Sequence, residues 1–293
     1  MAVRPRDGPE GAHGDEPGRH GADSGEPGHP RHPPHPRYPE PLGASDLDAE
    51  RELARDRLQA VDVIAEGVRD VEPRELPGRL CGVAVELLPV VCASVALHSD
   101  GMPVRLSASS EQARRVAEIQ ATLGDGPCLY AARIGAPVLA CDLTAGRDVH
   151  RWPVFAQQAT AAGVRAMFSI PLGNDSVCFG TLDLYRDTPG ELTPRQLRTA
   201  LLVASVMTVA LMALPRGEEN EGRESEPWMS GLAKDQDEVY QAVGMIMAQL
   251  GVDSDEALAR LRAHAFAESC TALEMARDVV GLRTRFDRDG DGD

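Results

Sequence analysis

Residues 164–172, VRAMFSIPL, and 176–186, SVCFGTLDLYR, are two runs of β-branched, aromatic and apolar residues with the turn formers Gly173, Asn174 and Asp175 between them. A connection that short joins neighbouring strands only if they run antiparallel. The pattern recurs at 90–109, VVCASVALHSDGMPVRLSAS, where Asp100-Gly101 marks a second hairpin. Residues 136–143, APVLACDL, supply one more short strand.

Helical spacing fills the rest of this region. Leu53, Leu58, Val61, Ile64, Ala65 and Val68 recur along one face of a helix starting near Asp46, and Glu75–Leu88 predicts a second. A third opens at Ser109 or Ser110 and is broken by Gly124 and by Gly126-Pro127. An amphipathic segment follows at RWPVFAQQATAAG, and Thr193 with Pro194 starts a last helix running to Leu214. Hairpin strands flanked by helices imply an α+β domain over 46–214 with a largely antiparallel sheet. There is no alternating βαβ series, no GxGxxG and no GxxxxGK[ST], which excludes a Rossmann or P-loop nucleotide site.

Residues 232–286 change period. Val239, Val243, Ile246 and Leu250 form a helical stripe stopped by Gly251. Asp253 with Glu256 and Thr271 with Glu274 form capping boxes for two further helices, striped by Leu258, Leu261 and Ala265 and by Leu273, Ala276, Val279 and Val280. This is a small all-α three-helix domain.

Between and around the two domains the composition turns polar. Residues 1–45 are rich in proline, glycine and histidine and read as a disordered tail. Its His29, His32 and His35 alternate with proline and fix no metal geometry, so no metal or other cofactor is expected. Residues 215–231 read as an acidic linker and 287–293 as an acidic tail that lacks the later positions of a calcium loop. The chain carries 46 acidic against 30 basic residues, a formal net charge of −16, which opposes general nucleic-acid attraction and makes any such binding local. Its six cysteines are far apart and read as reduced thiols of a cytoplasmic protein. The run Ala200–Leu214 is short of a bilayer span, so no membrane partner is expected. Its all-round apolar character instead implies a partner surface, and a homodimer formed through Val203 and Met207.

The residues QAVGMIMAQLGVDSDEALARLRAHAFAE and EMARDVV resemble the ANTAR domain of bacterial transcription antitermination regulators. The segments TLGDGPCLYAARIGAPVLACDL, RWPVFA, AGVRAMFSIPL and GTLDLYRD resemble a GAF domain of the kind joined to ANTAR in actinobacterial-type regulators. The combined resemblance implies a GAF-like sensor followed by an ANTAR output that grips paired hexaloop hairpins in nascent RNA. It implies RNA contact at Gln241, Ala242, Gly244, Met245, Arg260, Arg262, Ala265, Ser269 and Thr271, with Arg262 the foremost single candidate. It places Asp142, Trp152, Phe155, Arg165 and Asp183 on the segments that would line a small-molecule pocket. No pair of carboxylates and no Ser/His/Asp set argues for catalysis, so the protein is expected not to be an enzyme. Two alternatives stand beside this reading. One is a thiol enzyme on the GAF fold using some of Cys81, Cys92, Cys128 and Cys178; the other is a degenerate ANTAR bundle that binds protein.

Overall fold

The computed structural model describes residues 44–99, 102–174, 177–213 and 227–287. The expected N-terminal tail, most of the linker and the acidic end lie outside the described residues, as does the turn Asp100-Gly101.

The mixed domain opens with helices α1 (Ala44–Val68) and α2 (Leu76–Leu87), followed by strands β1 (Cys92–Ser99) and β2 (Met102–Ala108). Then come α3 (Glu111–Leu123), α4 (Pro127–Ile134) and the short β3 (Val138–Ala140). Helices α5 (Gly146–Arg151) and α6 (Pro153–Ala161) lead to β4 (Ala166–Asn174) and β5 (Val177–Arg186), and α7 (Pro194–Ala213) closes the domain. The five strands are all antiparallel to their neighbours, in the order β2-β1-β5-β4-β3.

Local chemistry sets the breaks. Ser110 caps α3 by accepting from the Ala113 amide at 3.2 Å, and Gly124, with φ of 66°, ends it in the left-handed region. Pro127 then starts α4, whose missing N–H is no loss at the first helical position.

The two sheet faces differ in character. Val95, Phe168, Ile170, Leu172, Leu182 and Leu184 pack with α2 and α7 into one core. Cys92, Met167 and Tyr185 point the other way, into a second core built with α3, α4, α5 and α6.

Outer helices depart from expectation in one respect. Of the α1 stripe, Ile64 is buried but Leu58 and Val61 are exposed. In α7, Val203 and Met207 are fully buried against the sheet, so they do not face a partner as expected; Leu201, Val209 and Met212 are the exposed apolar side chains. The helix wraps its own sheet because that face offers a wholly apolar surface. Among the described residues α7 is the one helix long and apolar enough to cross a membrane by length and composition, and here it packs on α2 and β4.

Helices α8 (Pro227–Leu250), α9 (Ser254–Ala267) and α10 (Ala272–Val280) form the C-terminal bundle with a core of its own, centred on Ile246, Leu261, Met275 and Val279. The first helix starts at Pro227, inside the segment expected to be linker. Gly251, at φ of 70°, ends α8. Asp253 caps α9 through the Glu256 amide at 2.9 Å, and Thr271 with Glu274 completes the capping box of α10.

Candidate functional site

A polar stripe crosses the middle of the sheet on the face toward α3. Asp183 on β5 stands in register with Ser94 on β1 and Ser169 on β4, and Thr181 lies two residues along on the same face. All four are buried. Thr181 Oγ1 donates to Asp183 Oδ2 at 3.4 Å, while His98 Nε2 meets Thr181 Oγ1 at 3.2 Å and Tyr185 Oη meets Ser94 Oγ at 2.8 Å. Asp183 Oδ1 has no hydrogen-bond partner among the described residues.

Burial dominates the protonation of this stripe. It pushes the Asp183 carboxyl up to about 7, and the Thr181 hydroxyl, which donates to Oδ2, only partly opposes it. Burial also lowers His98 to about 4, which keeps that ring neutral.

Asp183 lines a cavity of about 100 Å³. Arg105 of β2 and Glu118, Gln120 and Thr122 of α3 form part of its wall, and Cys128 of α4 another part. Gln120 is fully buried; its Oε1 accepts from the Cys128 amide at 2.9 Å, and its Nε2 has no partner among the described residues.

The remaining wall comes from the C-terminal bundle: Asp235, Gln236, Val239 and Tyr240 of α8, with Thr271, Ala272 and Leu273 at the start of α10. Two hydrogen bonds tie this seam. Thr122 Oγ1 accepts from the Ala272 amide at 3.1 Å, in a buried position, and Arg262 Nε donates to the Ala121 carbonyl at 3.2 Å. That carbonyl belongs to the last turn of α3, where helical carbonyls lack intrahelical partners and the dipole favours a cation. Gly124 leaves room for the guanidinium, since a Cβ there would stand 2.5 Å from Arg262 Nη1.

The expected RNA-binding residues separate into three groups. Gln241 and Gly244 lie on the open side of α8, with nothing near the space a Gly244 Cβ would take. Arg260, Ser269 and Met245 are also reached by solvent, and Arg260 pairs with Glu256 at 2.8 Å. Ala242 and Ala265 are fully buried, where their small side chains set helix spacing and present no surface. Arg262 and Thr271 sit on the seam.

Of the five expected pocket residues, Asp183 lines the cavity. Trp152 and Phe155 are packed in the second core, where Trp152 meets the Tyr130 ring edge-on at 6.4 Å between centroids. Asp142 caps the following turn by accepting from the Thr144 and Ala145 amides, and Arg165 is exposed. The structure does not bring these four to the cavity.

Residues 71–212 match the family model of the GAF domain, and residues 233–280 match that of the ANTAR domain. The chain is a GAF–ANTAR protein. No curated protein matches it. Among solved structures, the GAF domain is similar to that of a phosphoenolpyruvate-protein phosphotransferase from Coxiella burnetii, at 11% identity over 55% of this chain and 94% of that one, with a TM-score of 0.43. The corresponding domain from Acinetobacter is also 11% identical, over 61% and 100% of the two chains, again at 0.43. A free methionine-R-sulfoxide reductase from Neisseria meningitidis, solved with its substrate, is 14% identical over 55% and 90%, at 0.41.

In the GAF–ANTAR protein, sequence reasoning missed Gln120, Arg105 and Ser169. Gln120 occupies a position that helical periodicity assigns to an apolar residue, between Val116 and Leu123, and that mismatch is the signal that could have found it. Two cysteines of the GAF domain, Cys81 and Cys128, offer little nucleophilic character. Burial pushes Cys81 up to about 12, with the Asp183 charge adding to it, and pushes Cys128 up well above the usual thiol range.

Proposed function

We propose that this protein is a cytoplasmic, signal-responsive regulator that binds paired hexaloop hairpins in nascent RNA through its ANTAR domain and so controls transcription antitermination. The GAF domain is the sensor: it takes a small molecule, and through the exposed apolar side chains Leu58 and Val61 of α1 and Leu201, Val209 and Met212 of α7 it pairs with a second copy. The observation that carries the RNA reading is the ANTAR bundle itself, which has a separate core and turns Gln241 and Gly244 outward without a covering neighbour. Unpaired loop bases are recognised by stacking and hydrogen bonding, for which an open, low-profile helix face is suited even in a domain whose acidic residues outnumber its basic ones.

Cys81 and Cys128 support a non-catalytic role, because the thiolate is the nucleophile and burial disfavours it at both.

The test is a fluorescence titration of the full chain against an RNA with two hexaloop hairpins, beside an RNA with scrambled loops, at one stated salt concentration. Binding that weakens on scrambling supports the reading. Equal or absent binding to both overturns it in favour of a protein-binding bundle.

A further inference from the structure

We propose that the cavity between the GAF and ANTAR domains is a binding site for a small organic ammonium compound carrying an oxygen acceptor, and that its occupant clamps the ANTAR bundle onto α3.

The charge of the occupant follows from the wall. Four charged side chains line the cavity, Arg105, Glu118, Asp183 and Asp235. Glu118 meets Arg114 at 2.6 Å and Arg105 at 3.6 Å, and Asp235 meets Arg277 at 2.6 Å. Asp183 has no ion pair among the described residues, is 1% exposed, and leaves Oδ1 without a hydrogen bond. A buried carboxylate is costly unless a cation and hydrogen bonds compensate it, and here Thr181 Oγ1 donates to Oδ2 at 3.4 Å while Oδ1 has no partner among the described residues. An ammonium group donating to Oδ1 supplies both. Burial raises this carboxyl to about 7, and a cation beside Oδ1 would favour its ionised form.

The oxygen acceptor follows from Gln120. Its Oε1 is used by the Cys128 amide, so the side chain is fixed with Nε2 as the end that lacks a partner, fully buried. An amide donor in that state calls for a hydroxyl or carbonyl oxygen on the occupant. Size follows from the volume. A dry cavity of roughly 150 Å³ takes a benzene molecule, so about 100 Å³ suits about four or five non-hydrogen atoms. Methylene groups between the two polar ends would meet Ala96, Val104, Ala117, Val239 and Leu273.

The clamp follows from who owns the wall. Asp183 and Gln120 belong to the GAF domain, while Val239, Tyr240, Thr271 and Ala272 on the same wall belong to the ANTAR domain. An occupant touching both sides binds the docked arrangement better than a separated one, and a ligand shifts a conformational balance by its differential affinity for the two states. The docked arrangement is the one in which Ala272 donates to Thr122 and Arg262 to the Ala121 carbonyl. On the RNA reading above, occupancy thus keeps Arg262 turned away from RNA.

The experiment uses the full chain without RNA, so its outcome does not depend on whether the ANTAR domain binds RNA. Ethanolammonium and ethylammonium chlorides are titrated beside ethylene glycol, ethanol and sodium glycolate, with thermal unfolding and amide hydrogen exchange as readouts. Ethanolammonium is expected to raise the unfolding temperature most, ethylammonium less, and the uncharged and anionic probes not at all. It is also expected to slow exchange at the Ala272 amide at least several-fold. Asp183→Asn should fold and lose the response to both ammonium probes; Thr122→Val should keep the thermal response but lose the protection at Ala272. Failure of both ammonium probes, an equal effect of glycol or glycolate, or a response that survives in Asp183→Asn would overturn the site. Binding without slower exchange at Ala272 would overturn the clamp.

Discussion

The two faces of the GAF sheet are made by alternate residues of the same strands, yet they serve different ends. On β5, Leu182 and Leu184 point to one side and Thr181, Asp183 and Tyr185 to the other; on β4, Phe168 and Ile170 oppose Met167 and Ser169. The first face is wholly apolar and complete. The second carries a buried carboxyl, hydroxyls and an amide whose hydrogen bonds are not all made. Apolar burial is the main favourable term in folding, whereas a buried polar group without a partner opposes it. The contrast sets an apolar face against one with open hydrogen-bonding capacity, and three substitutions measure it.

The largest effect belongs to the apolar face. Phe168 is fully buried among α2, α7 and the neighbouring strands. Phe168→Ala is expected to cost about 3–5 kcal/mol through lost transfer free energy and the cavity left behind. Urea unfolding of the full chain checks it. A loss near 1 kcal/mol would mean that this core is loosely packed, and the division between the faces would fail.

Much of this division was legible in the sequence. Two hairpins with turn residues between β-rich runs fix antiparallel pairing, and Ser110, Gly124, Gly251 and the Thr271–Glu274 pair fix helix ends by their own local chemistry. Asp183 was singled out because its segment GTLDLYRD resembles one of the GAF domain. The rest depended on distant segments meeting. Gln120 acquires its meaning from Cys128 and from the cavity, and the cavity wall needs α8 and α10, which lie more than a hundred residues further along the chain. Trp152 and Phe155 mark the same difficulty from the other side: aromatic residues in the right segment are core here because α5 and α6 turn them inward. Arg262 was singled out for RNA, and its place on the last turn of α3 could not be read from helical spacing alone.

The intermediate effect tests the polar face directly and is pH-dependent. Asp183 rises from 3.8 in the unfolded chain to about 7 in the folded one, so folding favours its protonated form. The group therefore costs no stability below pH 4, and the cost grows as pH rises toward 7 and then levels off. Asp183→Asn removes the ionisation. Without ligand, the variant is expected to match the parent near pH 4 and to exceed it at pH 8, by up to about 4 kcal/mol, because a tenfold change in proton affinity is worth about 1.4 kcal/mol. Thermal unfolding of both proteins across this range is the measurement. A variant less stable than the parent at pH 8 would show that the carboxylate is compensated in the folded protein, and would remove the reason for placing a cation beside it.

The smallest effect comes from the residue next to Phe168. Ser169 is fully buried on the opposite face, in register with Asp183, and its Oγ completes no hydrogen bond among the described residues. Removing a buried hydroxyl that has no partner relieves a desolvation cost and leaves only a small void, so the two contributions nearly cancel. Ser169→Ala is expected to change stability by less than about 1 kcal/mol at pH 5, where Asp183 is mostly protonated. Adjacent residues on one strand would then differ several-fold in their response to the same truncation. If Ser169→Ala proves as costly as Phe168→Ala, the hydroxyl is part of a completed network, and the open hydrogen-bonding capacity that distinguishes this face from the other is not there.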